Sequence, residues 1–72
     1  MTRQEHLDWA KRRALEYVDR GDLDEAFASM LSDLRKHPEL ENHAGATLGV
    51  MLHFGGQLST REDMRKFIEG FN

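Results

Sequence analysis

The chain contains no cysteine and one proline in 72 residues. Without cysteine there are no disulfides and no thiolate metal sites, and the composition fits a reducing compartment. A chain this short forms one domain, residues 1–72, and buries only about 60% of the surface of its unfolded form. Its core is therefore small and has no covalent staple. A long apolar run is also missing. The longest uncharged run is shorter and richer in glycine than the roughly 20 apolar residues a membrane span needs. The opening Met-Thr-Arg-Gln-Glu-His has no apolar signal-peptide core. Together these absences lead to the expectation of a soluble protein of the cytoplasm. Basic charge is not in excess either: the net charge is −3, which argues against a general nucleic-acid binder.

Charge is unevenly spread. Residues 1–20 carry five basic and four acidic side chains, residues 21–42 two and six, and residues 59–72 three of each, while residues 43–58 carry none. Such polarity suits self-association or a basic partner, and it also suits ordinary solvated helix faces. The uncharged segment Ala44 to Gly56, AGATLGVMLHFGG, must be covered by its own chain or by a partner.

The rest of the chain reads as helices. Thr2 with Glu5 is a capping-box pattern, so a helix starts there and runs to about Arg20, with Leu7, Ala10, Ala14, Tyr17 and Val18 on one stripe. Gly21 supplies a left-handed C′ position, and Asp22 with Glu25 repeats the capping box. The second helix carries the clearest stripe, Leu23, Ala26, Phe27, Met30, Leu31 and Leu34. Arg35, Lys36 and His37 close it, and Pro38 ends it and opens a short helical turn. Asn42 is the expected N-cap of a third helix over about 43–54, apolar nearly all round and hence a buried helix. Gly45 and Gly49, four apart, mark a close approach of another helix backbone. Ser59, or Thr60 in its place, caps a last helix to about Glu69, with Met64, Phe67 and Ile68 inward, Gly70 at C′ and Phe71 folding back. No stretch alternates as a strand does. The expected fold is all-α, a compact bundle of three to four short helices with a buried central helix at about 43–54.

Chemistry finds little support. Ser29, Ser32 and Ser59 lack a glycine elbow or a partner motif, and Glu39 and Glu41 face apart on a helix. Gly45-x-x-x-Gly49 lacks the Gly-Lys-Ser/Thr ending of a phosphate loop. His6, His37, His43 and His53 form no His-x-x-x-His pair, although His37 and His43 could converge around Pro38. The expectation is a non-enzyme with no cofactor and no metal. Trp9 lies opposite the Leu7/Ala14/Val18 stripe with Arg12, Arg13 and Arg20, beside the basic run Lys11-Arg12-Arg13. A Trp among arginines is an interface anchor or a base-stacking platform. It is equally a ring packed beneath the tail or the 37–43 turn. The interleaved Glu5, Asp8, Glu16 and Asp19 disfavour phosphate contact. Ala14, Tyr17, Gly21, Ala26 and Pro38 fall at the spacing of a tetratricopeptide hairpin, but one unit is too few for a repeat domain, and Met30 and Asp33 depart from its pattern.

The combination Glu5-His6-Leu7-x-Trp9, Arg13-Ala14-Leu15-Glu16-Tyr17, Ser32-Asp33-Leu34-x-Lys36-His37-Pro38 and Leu58-Ser59-Thr60, with the ending Arg65-Lys66-Phe67-Ile68-Glu69-Gly70-Phe71-Asn72, resembles a set of short proteins encoded by bacteriophages, particularly phages of actinobacteria. The likeness covers nearly the whole chain. It carries over no activity and no functional residue. It implies a bacterial cytoplasm and a phage accessory product that binds and modulates a host or phage protein. The expected function is accordingly a small protein-interaction module, with Trp9, Arg12, Arg13 and Arg20 as its partner-binding patch. The alternative is a nucleic-acid-binding or transcription-modulating protein using Trp9 and Lys11 to Arg13. A homodimer is a further expectation, because the third helix carries more apolar surface than the other helices can cover.

Overall fold

Thr2 opens the first helix as its spacing predicts. In a computed structural model that describes residues 2–72, α1 spans Arg3–Asp19, α2 Leu23–Leu34, α3 Ala44–Phe54 and α4 Arg61–Glu69. The all-α class holds, with four helices and no strand among the described residues. The Thr2 hydroxyl accepts from the Glu5 N–H at 3.1 Å, and Glu5 Oε1 accepts from the Thr2 N–H at 3.0 Å. The backbone bond from Thr2 holds the Glu5 carboxyl below its ordinary value. Its support for α1 is thus present above the unfolded carboxyl pKa and fades as pH falls through the folded one.

Gly21, at φ +81°, turns the chain after α1. The Gly21 N–H reaches Val18 O and the Asp22 N–H reaches Tyr17 O, both at 2.9 Å. This double bond closes the end of α1 in a Schellman arrangement. It also explains why the second capping box does not form. Asp22 is held at ψ 71° by its bond to Tyr17, away from the extended conformation that aims a cap side chain, and it makes no cap hydrogen bond. The α2 helix ends at Leu34, ahead of Pro38, and the backbone tightens through Lys36 N–H to Asp33 O and His37 N–H to Leu34 O. One further turn follows Pro38, with Leu40 buried in the core.

Two caps differ from expectation. His43, not Asn42, caps α3, because its Nδ1 accepts from the Gly45 N–H at 2.9 Å. Nε2 therefore carries the proton and donates to the Asn72 carbonyl at 2.8 Å. Thr60, not Ser59, caps α4 by accepting from the Asp63 N–H at 3.1 Å. At the other end of α4, Gly70 has φ −77°, not the left-handed value of a C′ glycine. Phe71 nevertheless folds back into the core.

The core consists of Leu7, Ala10, Ala14 and Val18 from α1, Ala26, Met30 and Leu34 from α2, and Met64 and Ile68 from α4. Leu40, Leu58 and Phe71 complete it. The predicted stripes of α1, α2 and α4 point into it, except for Leu31 of α2, which lies half-buried outside the core. Fully burying a side chain of the size of Leu, Met or Ile stabilises by about 1.5–3 kcal/mol. The α1 and α2 helices run antiparallel, since His6 near the start of one meets Asp33 near the end of the other. The α4 helix packs on both.

The expected burial of the third helix is not found. Gly49 is the only buried residue of α3, and the side chains that the helix packs against the core, Ala46 and Leu52, are only half-buried. The other three helices each have a polar face and an apolar face, and they close a core among themselves. Apolar on nearly every side, α3 can offer that core only one of its faces. The two glycines do mark close contacts within the chain, but the contacts are with aromatic rings, not with a helix backbone. A Cβ at Gly45 would lie 2.7 Å from the Phe71 ring, and one at Gly49 would clash with Phe67 and lie 3.3 Å from Phe27.

Candidate functional site

The first candidate surface is the seam between α1 and α2, where Asp33 is the central residue. Asp33 occupies the i+7 position of the buried series Ala26–Met30–Asp33, so its side chain enters the core boundary at 2% exposure. Arg13 Nε donates to one carboxylate oxygen at 2.9 Å and Lys36 Nζ to the other at 3.1 Å, with the Ser29 hydroxyl at 3.5 Å. The Asp33 backbone carbonyl accepts from His6 Nε2 at 2.6 Å. Both cations also cover Trp9. Arg13 Cζ lies 4.9 Å and Lys36 Nζ 5.6 Å from its ring centroid, and the His6 ring packs at 5.1 Å. Trp9 is half-buried against the core. The carboxylate is desolvated while both cations keep about half their surface in water, so the desolvation cost falls mainly on Asp33 and is offset by its two charged partners.

The predicted partner-binding residues are therefore only partly brought together. Trp9 and Arg13 meet, but in a cluster that ties the start of α1 to the end of α2. Arg20 lies over Tyr17 at 5.4 Å, at the far end of α1, and Arg12 points to solvent. Of the basic run, Lys11 donates to the Glu69 carbonyl at 3.2 Å and Arg13 to Asp33. Asp33 was the residue that sequence reasoning passed over. Its signal was an acid on an apolar helical stripe with a lysine three residues on.

The histidines are also engaged. His37 Nδ1 accepts from the Glu39 N–H at 3.1 Å, His43 caps α3, and His53 stacks on Phe27 at 4.5 Å with 12° between the planes. Among the described residues no three His, Asp or Glu side chains converge as a metal site requires.

The second surface is the outer face of α3. Ala44, Thr47, Leu48, Val50, Met51 and Phe54 are exposed there, with Phe54 at 85%, Met51 at 68% and Leu48 at 53%. No charged side chain interrupts them. Beside Leu48 a groove of about 390 Å³ runs between α3 and α4, lined by Leu52, Leu58, Phe67 and Phe71 and rimmed by Asp63 and Lys66. No helix among the described residues is long and apolar enough to cross a membrane. No protein-family model, curated protein or solved structure matches the chain.

Proposed function

We propose that the chain is a small non-enzymatic interaction module that docks a protein through the outer face of α3. One observation carries this reading: a charge-free helix face with Phe54, Met51 and Leu48 more than half exposed on a chain of 72 residues. Contiguous exposed apolar surface of this kind marks association sites. The absence of Lys and Arg from α3 favours protein over the phosphates of nucleic acid or of an anionic membrane. The α1 face of Trp9, Arg12, Arg13 and Arg20 is the weaker docking surface. Two cations already cover the indole, and Arg13 is held by Asp33. For the nucleic-acid alternative, two of the three cations in the basic run have partners within the chain. The resemblance to short phage proteins supports an accessory role inside a bacterial host.

A photo-crosslinking residue placed at Thr47, on the outer face of α3, tests the reading against the same group at Arg12. Capture of a protein chain from Thr47 and not from Arg12 is expected. Capture from Arg12 alone would move the docking surface to α1.

A further inference from the structure

We infer that the occupant of the α3 face is a second copy of this chain, paired about a two-fold axis that runs parallel to α3. The inference rests on α3 being the docking face, and the shape of that face points to self-pairing. Met51 lies at the middle of the exposed residues. At 100° per residue, Phe54 lies about 60° to one side of it and Leu48 about 60° to the other. Phe54 projects furthest into solvent, while the apolar groove opens beyond Leu48, along Leu52, Leu58, Phe67 and Phe71. A two-fold interface uses the same patch on both partners, so the patch must contain its own complement. With the axis parallel to the helix, opposite flanks meet, and each Phe54 faces the groove of the other copy. Ala44, Thr47, Met51 and Phe54 follow one another at spacings of three, four and three, which is the seam of a helix pair.

Charge agrees with this occupant. The rim beyond Val50 carries Arg35 and Glu41, and the rim beyond Leu48 carries Asp63 and Lys66. Opposed flanks therefore present one charge of each sign, although the chain as a whole carries −3. A strongly basic or acidic partner gains nothing from such a rim. Stability agrees as well. An 11-residue helix with two glycines, no fully buried side chain and only Ala46 and Leu52 half-buried against the core is marginal by itself. The one cover present whenever the chain is present is another copy of it.

Sedimentation equilibrium of the wild type over a range of concentrations should approach twice the mass of one chain, and Phe54→Asp should return it to one. Phe54 is almost fully exposed, so that variant should keep its helical circular dichroism. The chain has no cysteine, so Ala44→Cys and Met51→Cys each report without background. Both should form a disulfide with their own copy on mild oxidation, because a parallel pair places equal residues opposite each other. Self-linkage at only one of them overturns the parallel pairing, and a dimer indifferent to Phe54→Asp places the contact on another face. A wild type that stays at the mass of one chain, yet crosslinks a different protein from Thr47, overturns self-pairing and leaves the docking face standing. A single-chain mass with no crosslink from Thr47 overturns both.

Discussion

The α2 and α3 helices have 12 and 11 residues, and α3 is the more apolar of the two, yet α2 lies in the core and α3 on the outside. What separates them is contrast around the helix. Along α2, Ala26, Met30 and Leu34 lie on one side while Asp24, Glu25, Ala28 and Ser32 stay exposed, so only one orientation leaves the charges hydrated. No such preference acts on α3. It turns its glycines to the aromatic rings of Phe27, Phe67 and Phe71 and leaves Leu48, Met51 and Phe54 in water. Total apolarity measures how much surface needs cover, and the arrangement of polar residues decides which surface gets it.

Truncating the same residue type on both helices should separate them most strongly. Met30→Ala on α2 should cost about 2–5 kcal/mol, because a fully buried side chain leaves a cavity. Met51→Ala on α3 should stay within about 0.5 kcal/mol at high dilution, where the chains are apart. Urea denaturation of both variants checks the pair, and equal losses would mean that α3 is buried in the isolated chain. Asp33→Asn comes next. It keeps the size of the residue and removes the charge that Arg13 and Lys36 share, at an expected cost of about 1–3 kcal/mol in the same titration. A cost near zero would reduce the seam to shape alone. The smallest effect sharpens the account of α3 itself. Gly49→Ala gains about 1 kcal/mol of helix propensity but forces a methyl into the Phe67 ring, and overpacking costs about 1–3 kcal/mol. The net expectation is a modest fall in Tm, reversed when Phe67→Leu opens the space. A rise in Tm from Gly49→Ala alone would show that α3 does not rest on that ring.

Much of the fold was legible because its determinants are local. Thr2 and Glu5 are three residues apart and find each other as soon as α1 forms. Gly21 turns the chain wherever a left-handed residue must follow a helix. The stripes of α1, α2 and α4 show which sides face inward. Where the reading failed, a competing bond had intervened. Asp22 makes no side-chain cap, and its N–H closes α1 on Tyr17 five residues back. His43 displaces Asn42 as a cap while its other ring nitrogen holds Asn72, 29 residues away. Trp9 and Arg13 looked like a free surface because Asp33 and Lys36 lie 20 or more residues further along the chain.

The sequence by itself determined the four helices, their stops and the inward sides of three of them, since each follows from residues within about two turns of one another. Only the tertiary structure decided that Asp33 would gather Arg13, Lys36 and His6 around Trp9, because those groups come together when α1 and α2 lie antiparallel. It decided the place of α3 too. A helix without charge carries no signal for which side to hide, so its neighbours chose, seating Gly45 and Gly49 on aromatic rings and leaving Phe54 outermost.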